Sequence, residues 1–280
     1  MSENKIPKVI HYCWFSGQEV PVFLQDCIDS WKDVMPDYKL RLWDANSFDF
    51  NSVPFIKEAF ESKKWAFVAD YIRLFALFEE GGIYLDSDVK VFKRFDEFLC
   101  YNFFTSHEIH PGNFTDFERS KLNEDSLPIN KDEYIYGLNI QAAMMGSVKG
   151  NPFLKECMDF YNDKHFLGKD GEILSENYII GPYVSKKAEK YGYKYNQSKQ
   201  LLDNNMIILT PEVFVGNSVF LTKESYAIHL CNGSWKDKTG FEEMEYKIRN
   251  NYPKLYPVVV LGKKTARNII KFFTYNKLCW

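Results

Sequence analysis

Residues 64–92, KWAFVADYIRLFALFEEGGIYLDSDVKVF, constrain the fold more than any other stretch. Trp65, Val68, Ala69, Ile72, Phe75 and Ala76 recur at helical spacing. Tyr71, Leu74, Leu77 and Phe78 make the other side apolar too, and a helix apolar nearly all round is a buried one. Gly81-Gly82 stops it, because glycine takes the left-handed geometry found past a helix end. Ile83-Tyr84-Leu85 reads as a short buried strand. It ends in Asp86-Ser87-Asp88. Residues two apart in an extended chain share a side, so two carboxylates leave a buried strand end together.

Neighbouring acids repel, and near a core each loses solvation. A hard divalent ion, Mg²⁺ or Mn²⁺, is the natural counter-charge because it prefers carboxylate oxygen. The other reading of a bare D-x-D is a polar loop with two solvated acids. Asp70 and Arg73 are the only charged residues between Lys64 and Glu79, three apart on one helix face. They read either as a buried ion pair that shapes the core or as groups that reach a ligand. Open α/β sheets bind ligands outside the carboxyl ends of their strands.

The flanks predict the rest of a sheet. Residues 8–15 form a first strand, Pro21 opens a helix striped by Leu24, Cys27, Ile28 and Trp31, and residues 38–42 alternate as a second strand. Strand, helix, strand is a parallel unit. A short helix over 55–62 follows, so the acids end the third strand. Trp14, near the end of the first strand, is either a core aromatic or a binding-site ring; His11 faces the other way by parity and reads as structural. Residues 102–135 are polar and read as a long loop with room for a short helix. In the apolar run 137–146, Asn139 and Gln141 are either strand-end amides satisfying the backbone or pocket groups. Asn151-Pro152 starts a helix, Gly181-Pro182 is a turn, residues 183–191 are helical and 207–209 are a strand. A last strand delivers His229, and a glycine turn then presents Ser234 and Trp235.

The block AFVADYIRLFALFEEGGIYLDSDV resembles the signature of DXD-containing sugar transferases of glycosyltransferase family 32, related to yeast α-1,6-mannosyltransferase and to capsule-synthesis enzymes. It is similar, more distantly, to the glucosyltransferase domain of large clostridial toxins. IPKVIHYCWFSG, the segment from Asn139 to the Lys-Gly-Asn-Pro turn, and H-x-x-x-x-S-W at 229–235 resemble further family segments. The resemblance implies an α/β, GT-A-like nucleotide-sugar-binding fold with a mostly parallel central sheet flanked by helices. It implies a metal-dependent, retaining transfer of sugar from a nucleotide-sugar, a UDP-sugar first among them, to a carbohydrate or lipid-linked oligosaccharide acceptor. Asp70, Arg73, Asp86 and Asp88 would be the catalytic set. Trp14, Asn139, Gln141, Ser234 and Trp235 would join Asp70, Arg73 and Asp86 around the donor. Asp86, Asp88 and His229 or Ser234 would hold Mn²⁺ or Mg²⁺; the toxins carry a different residue type at the His229 position. No residue suggests itself as a covalent nucleophile, which favours front-face attack by the acceptor. A nucleotide-sugar hydrolase, a nucleotidyltransferase and a non-catalytic nucleotide-sugar-binding protein are the alternatives.

A net charge of −3 gives no sign of nucleic-acid binding. Six scattered cysteines without a C-x-x-C pair exclude a zinc ribbon or a disulfide-stapled fold and fit a reducing cytoplasm. MSENKIPK lacks a signal-peptide core, and no run approaches the roughly twenty apolar residues that span a bilayer. The expected organisation is a transferase domain over 1–250 and a basic amphipathic helical segment over 251–280. That segment carries Lys263, Lys264, Arg267, Lys271 and Lys277 beside the stripe Ala266, Ile269, Ile270, Phe273. It reads either as a peripheral membrane contact or as a terminal helix packed on its own domain.

Overall fold

The protein is seen in a computed structural model that describes residues 5–174, 180–231, 233 and 240–252. Strand β1 (Val9–Cys13), helix α1 (Val22–Val34) and strand β2 (Lys39–Trp43) form the expected first unit, with β1 and β2 parallel. Helices α2 (Pro54–Glu61) and α3 (Trp65–Glu80) lead into β3 (Gly82–Leu85), which pairs parallel to β1. There follow β4 (Val89–Val91), β5 (Phe103–Ile109), α4 (Asp116–Ser120), β6 (Leu138–Ile140), β7 (Met144–Ser147), α5 (Pro152–Met158) and α6 (Ile180–Ala188). The described elements end with β8 (Gln200–Leu202), β9 (Met206–Leu209), β10 (Phe214–Val215), β11 (Ala227–His229) and α7 (Phe241–Asn251).

The main sheet has eight strands in the order β2-β1-β3-β7-β5-β9-β8, with β6 on β5; a three-stranded sheet has the order β10-β11-β4. The fold is thus α/β with a central sheet and flanking helices. Strands β1, β2, β3, β5 and β9 share one direction, so their carboxyl ends lie along one edge. The pairing is more mixed than the expected mostly parallel sheet, because β7 runs antiparallel between β3 and β5. Only three residues separate β6 from β7, and both run against the common direction.

Helix α3 buries Val68, Ala69, Tyr71, Ile72, Arg73, Leu74, Ala76 and Leu77, as its all-round apolar character requires. Gly81 and Gly82 have φ of 67° and 114°. A Cβ on Gly82 would fall 2.7 Å from the Val9 carbonyl, so glycine lets β3 close onto β1 directly after the helix. His11 is wholly buried here; its Nε2 lies 2.7 Å from the Gly81 carbonyl, and its Nδ1 accepts from Trp43 Nε1 at 3.1 Å. Burial lowers its pKa, so it serves as a neutral structural link, as strand parity suggested.

Two sequence expectations are corrected. The loop expected over 102–135 begins as β5, a strand buried on both faces. Gly181-Pro182 is no turn but lies in the first turn of α6, where proline is tolerated. Two compact units emerge. One comprises residues 1–18 and 27–235; the other comprises 19–26 and 236–280. Within the second, the Arg249 guanidinium stacks 4.5 Å from the Phe23 ring centroid. Most of the segment expected to be basic and amphipathic, residues 253–280, lies outside the described residues. No helix among the described residues is long and apolar enough to cross a membrane.

Candidate active site

Strand β3 delivers the acids to the shared carboxyl edge. The Asp86 amide donates to the Ala143 carbonyl at 2.9 Å, and the Asp86 carbonyl accepts from the Val89 amide at 2.9 Å. That turn feeds β4, which pairs antiparallel with β11 and sets His229 opposite Val89. The Leu230 amide donates to the Asp88 carbonyl at 3.0 Å. The small sheet therefore carries His229 to the D-x-D turn from the far end of the chain.

Arg73 rises from the buried face of α3 and uses every nitrogen. Nε donates to the Ala69 carbonyl at 3.2 Å, Nη1 to the Ala142 carbonyl at 2.7 Å, and Nη2 lies 2.9 Å from Asp70 Oδ1 and 3.2 Å from Asp86 Oδ1. Its guanidinium also sits 4.8 Å from the Tyr84 ring centroid. Tyr84 donates its hydroxyl to Asp86 Oδ1 at 2.8 Å. Burial works against the guanidinium charge, but Asp86, Tyr84 and Asp70 outweigh it and raise the Arg73 pKa. Two carboxylates share this one cation. Burial, helped by the Asp86 charge and opposed by Arg73, pushes Asp70 up to about 7.

His229 Nε2 lies 3.2 Å from Asp88 Oδ1 and 3.9 Å from Asp86 Oδ2. Burial disfavours its charge, yet Asp88 and the nearby Cys231 overcome that and raise its pKa well above the ordinary value. Asp86, Asp88 and His229 each offer one ligand atom, all within 4.8 Å of one another. Two carboxylate oxygens and an imidazole nitrogen make a donor set that a hard divalent cation such as Mn²⁺ or Mg²⁺ accepts.

The other predicted residues divide. Trp14 follows β1 at the same sheet edge, half-buried, with Nε1 donating to the Gln18 carbonyl at 2.7 Å. Asn139 and Gln141 are buried, and their amides donate to the carbonyls of Ile135 at 2.9 Å and Phe214 at 3.2 Å. Ser234 and Trp235 lie outside the described residues. Sequence reasoning missed Tyr84 and the Ala142 carbonyl. Tyr84 stands two residues before Asp86 in a strand, so parity alone could have placed its hydroxyl beside that carboxylate. No sequence signal marks Ala142, whose role belongs to its main chain.

Residues 21–105 match the family model described as a glycosyltransferase sugar-binding region containing DXD motif. That segment is similar to a DXD-type sugar-binding region. Over 100 residues the chain is 35% identical to inositol phosphoceramide mannosyltransferase 3 of Schizosaccharomyces pombe, covering 34% of this chain and 28% of the relative. It is 32% identical over 100 residues to the mannosyl phosphorylinositol ceramide synthase SUR1 of Saccharomyces cerevisiae, covering 34% and 26%. The match thus spans under a third of these relatives' length. A longer match, 23% identical over 290 residues and covering 85% of this chain and 74% of the relative, is to the initiation-specific alpha-1,6-mannosyltransferase of Candida albicans. Among solved structures, the PaToxG glycosyltransferase superposes with a TM-score of 0.45 at 16% identity, over 66% of this chain and 69% of that one. The description of the family model and the names of the mannosyltransferase relatives agree with the resemblance carried by the DXD block.

Proposed function

We propose that this protein is a metal-dependent, retaining glycosyltransferase that moves a sugar from a nucleotide-sugar onto a carbohydrate acceptor in cell-surface glycan synthesis. One observation carries the reading: the Asp70–Arg73–Asp86 cluster stands beside the Asp86, Asp88 and His229 donor atoms at the carboxyl end of a buried strand. Asp86, Asp88 and His229 would hold Mn²⁺ or Mg²⁺, which when bound supplies Lewis-acid stabilisation of charge on the departing diphosphate. Ser234, which lies outside the described residues, would be a further ligand.

The chain's own groups do the positioning. Arg73 is fixed by two main-chain carbonyls, so its guanidinium is held in place before any donor arrives, which lowers the cost of orientation. Asp70, titrating near neutrality, can both donate to and accept from sugar hydroxyls. The half-buried Trp14 offers a ring face on which a nucleotide base can stack, and Trp235 an indole N–H for the diphosphate. Asn139 and Gln141, with buried side chains, would support the donor pocket from beneath. The acceptor hydroxyl would attack on the face the diphosphate leaves.

The mannosyltransferase relatives make a mannosyl donor as strong a candidate as a UDP-sugar. A cytoplasmic location completes the proposal, with segment 251–280 in one of its two readings bringing the enzyme to an anionic membrane surface. The test is a screen of UDP-, GDP- and dTDP-sugars with Mn²⁺, reading nucleotide release with and without sugar acceptors. Asp88→Ala should lower turnover at least about 100-fold, a loss of several kcal/mol of transition-state stabilisation, while still unfolding cooperatively in the absence of metal. Wild-type rates in the purified variant would contradict the proposal.

A further inference from the structure

Glu108 is a carboxylate on the working edge that the chemistry above leaves unused. It is the second-last residue of β5, which shares its direction with β3, so it stands at the same sheet edge as Asp86 and Asp88. Its side chain is 18% exposed. Among the described residues its ion partner is His110 Nε2, 3.5 Å away on the exposed rim, which is long for a hydrogen bond. Gly216 packs against it: a Cβ there would fall 3.0 Å from Glu108 Oε1 and 2.9 Å from Gln141 Nε2. The Gly216 carbonyl lies 3.5 Å from Cys231 Sγ, itself 3.5 Å from His229 Nδ1. The Gly216 backbone thus lies near both Glu108 and the Cys231 thiol that neighbours the imidazole meeting Asp88.

Burial alone would raise the Glu108 pKa, but His110, His229 and Arg73 outweigh it and lower it. The group is thus ionised at neutral pH. Asp70 and Asp86 are engaged by Arg73 and Tyr84, and Asp88 by His229. An ionised, largely desolvated carboxylate whose ion partner among the described residues is one rim histidine is an acceptor suited to further O–H donors. Neighbouring hydroxyls of a sugar are such donors, two of them matching the two oxygens of one carboxylate.

We propose that Glu108 is a specificity-determining residue that accepts hydrogen bonds from hydroxyls of the transferred sugar. The inference rests on the glycosyl-transfer reading and adds to it the contact that tells one donor sugar from another. A residue that only shaped the wall would affect nucleotide and nucleotide-sugar alike, or neither.

The test is calorimetric titration of the full chain, with Mn²⁺ present, against UDP, UDP-glucose, GDP and GDP-mannose. Glu108→Gln should bind the free nucleotide within about twofold of wild type but the preferred nucleotide-sugar about tenfold more weakly, the loss of a charge-assisted hydrogen bond. Glu108→Asp should recover part of that loss. Donor analogues lacking one hydroxyl at a time identify the contact: the analogue that wild type binds poorly should bind both proteins equally. Unchanged sugar affinity in Glu108→Gln, or equal weakening of nucleotide and nucleotide-sugar, overturns the assignment. A wild-type protein that binds none of the four probes, nor dTDP or dTDP-glucose, overturns the glycosyl-transfer reading itself, and the assignment with it.

Discussion

Arg73 holds two carboxylates at once in a place where water reaches little of it. Its residue is 5% exposed, and Asp70 and Asp86 lie 2.9 and 3.2 Å from the same nitrogen. Removing one member of a buried ionic group costs more than forming it gains, because the remaining charges lose their compensation. Arg73→Ala should therefore destabilise the fold by about 3–5 kcal/mol, read as a shift in the urea unfolding curve. A loss below about 1 kcal/mol would show that water, not Arg73, compensates the two acids. The pair was legible in the sequence because three-residue spacing on one helix face is a local fact. That Arg73 also seizes Asp86 was not, since the bond crosses from helix to strand.

At the scale of elements, α3, Gly81-Gly82 and β3 form one unit whose order follows from periodicity and from glycine's reach into positive φ. Strand β5 shows the opposite case. Its Thr105, Ser106 and His107 are buried, so the strand looks polar and reads as loop. Their polarity is satisfied inside: Thr105 Oγ1 donates to the Met144 carbonyl at 2.7 Å, and Ser106 Oγ to the Phe214 carbonyl at 2.7 Å. His107 Nε2 lies 2.8 Å from the Ser198 carbonyl, with Nδ1 3.3 Å from the Tyr193 hydroxyl. Burial, only partly offset by that carbonyl, lowers the His107 pKa to about 4. The unfolded chain, with an ordinary histidine pKa of about 6.5, binds a proton first as the pH drops. The contribution of neutral His107 is thus complete above about pH 6.5 and is lost as the pH falls toward 4. It should shrink by about 2 kcal/mol between pH 7 and 5. Urea unfolding of wild type and His107→Gln at both pH values checks this; parallel losses in the two proteins would place the acid sensitivity elsewhere.

For the whole molecule, a cation held by Asp86, Asp88 and His229 would tie the main sheet to the three-stranded sheet, since β3 supplies the acids and β11 the imidazole. A ligand that binds only the folded state stabilises it, by about 2.7 kcal/mol at a hundred times its Kd. Mn²⁺ should raise the thermal midpoint of wild type by several degrees, EDTA should reverse the rise, and Asp88→Ala should show neither effect. Equal shifts in the variant would place the bound metal at another site. The chain by itself determined the helix, the glycine pair, the inner strand and the two acids at its tip, along with the cationic partner three residues from Asp70. Each depends on neighbours within a turn or two, where spacing fixes geometry. Only tertiary structure decided how the pairing of β4 with β11 brings His229 to Asp88, that the Ala142 carbonyl anchors Arg73, and that Glu108 stands on the same edge. Those meetings depend on which strands pair and in what register, and residues far apart in the chain carry no local trace of it.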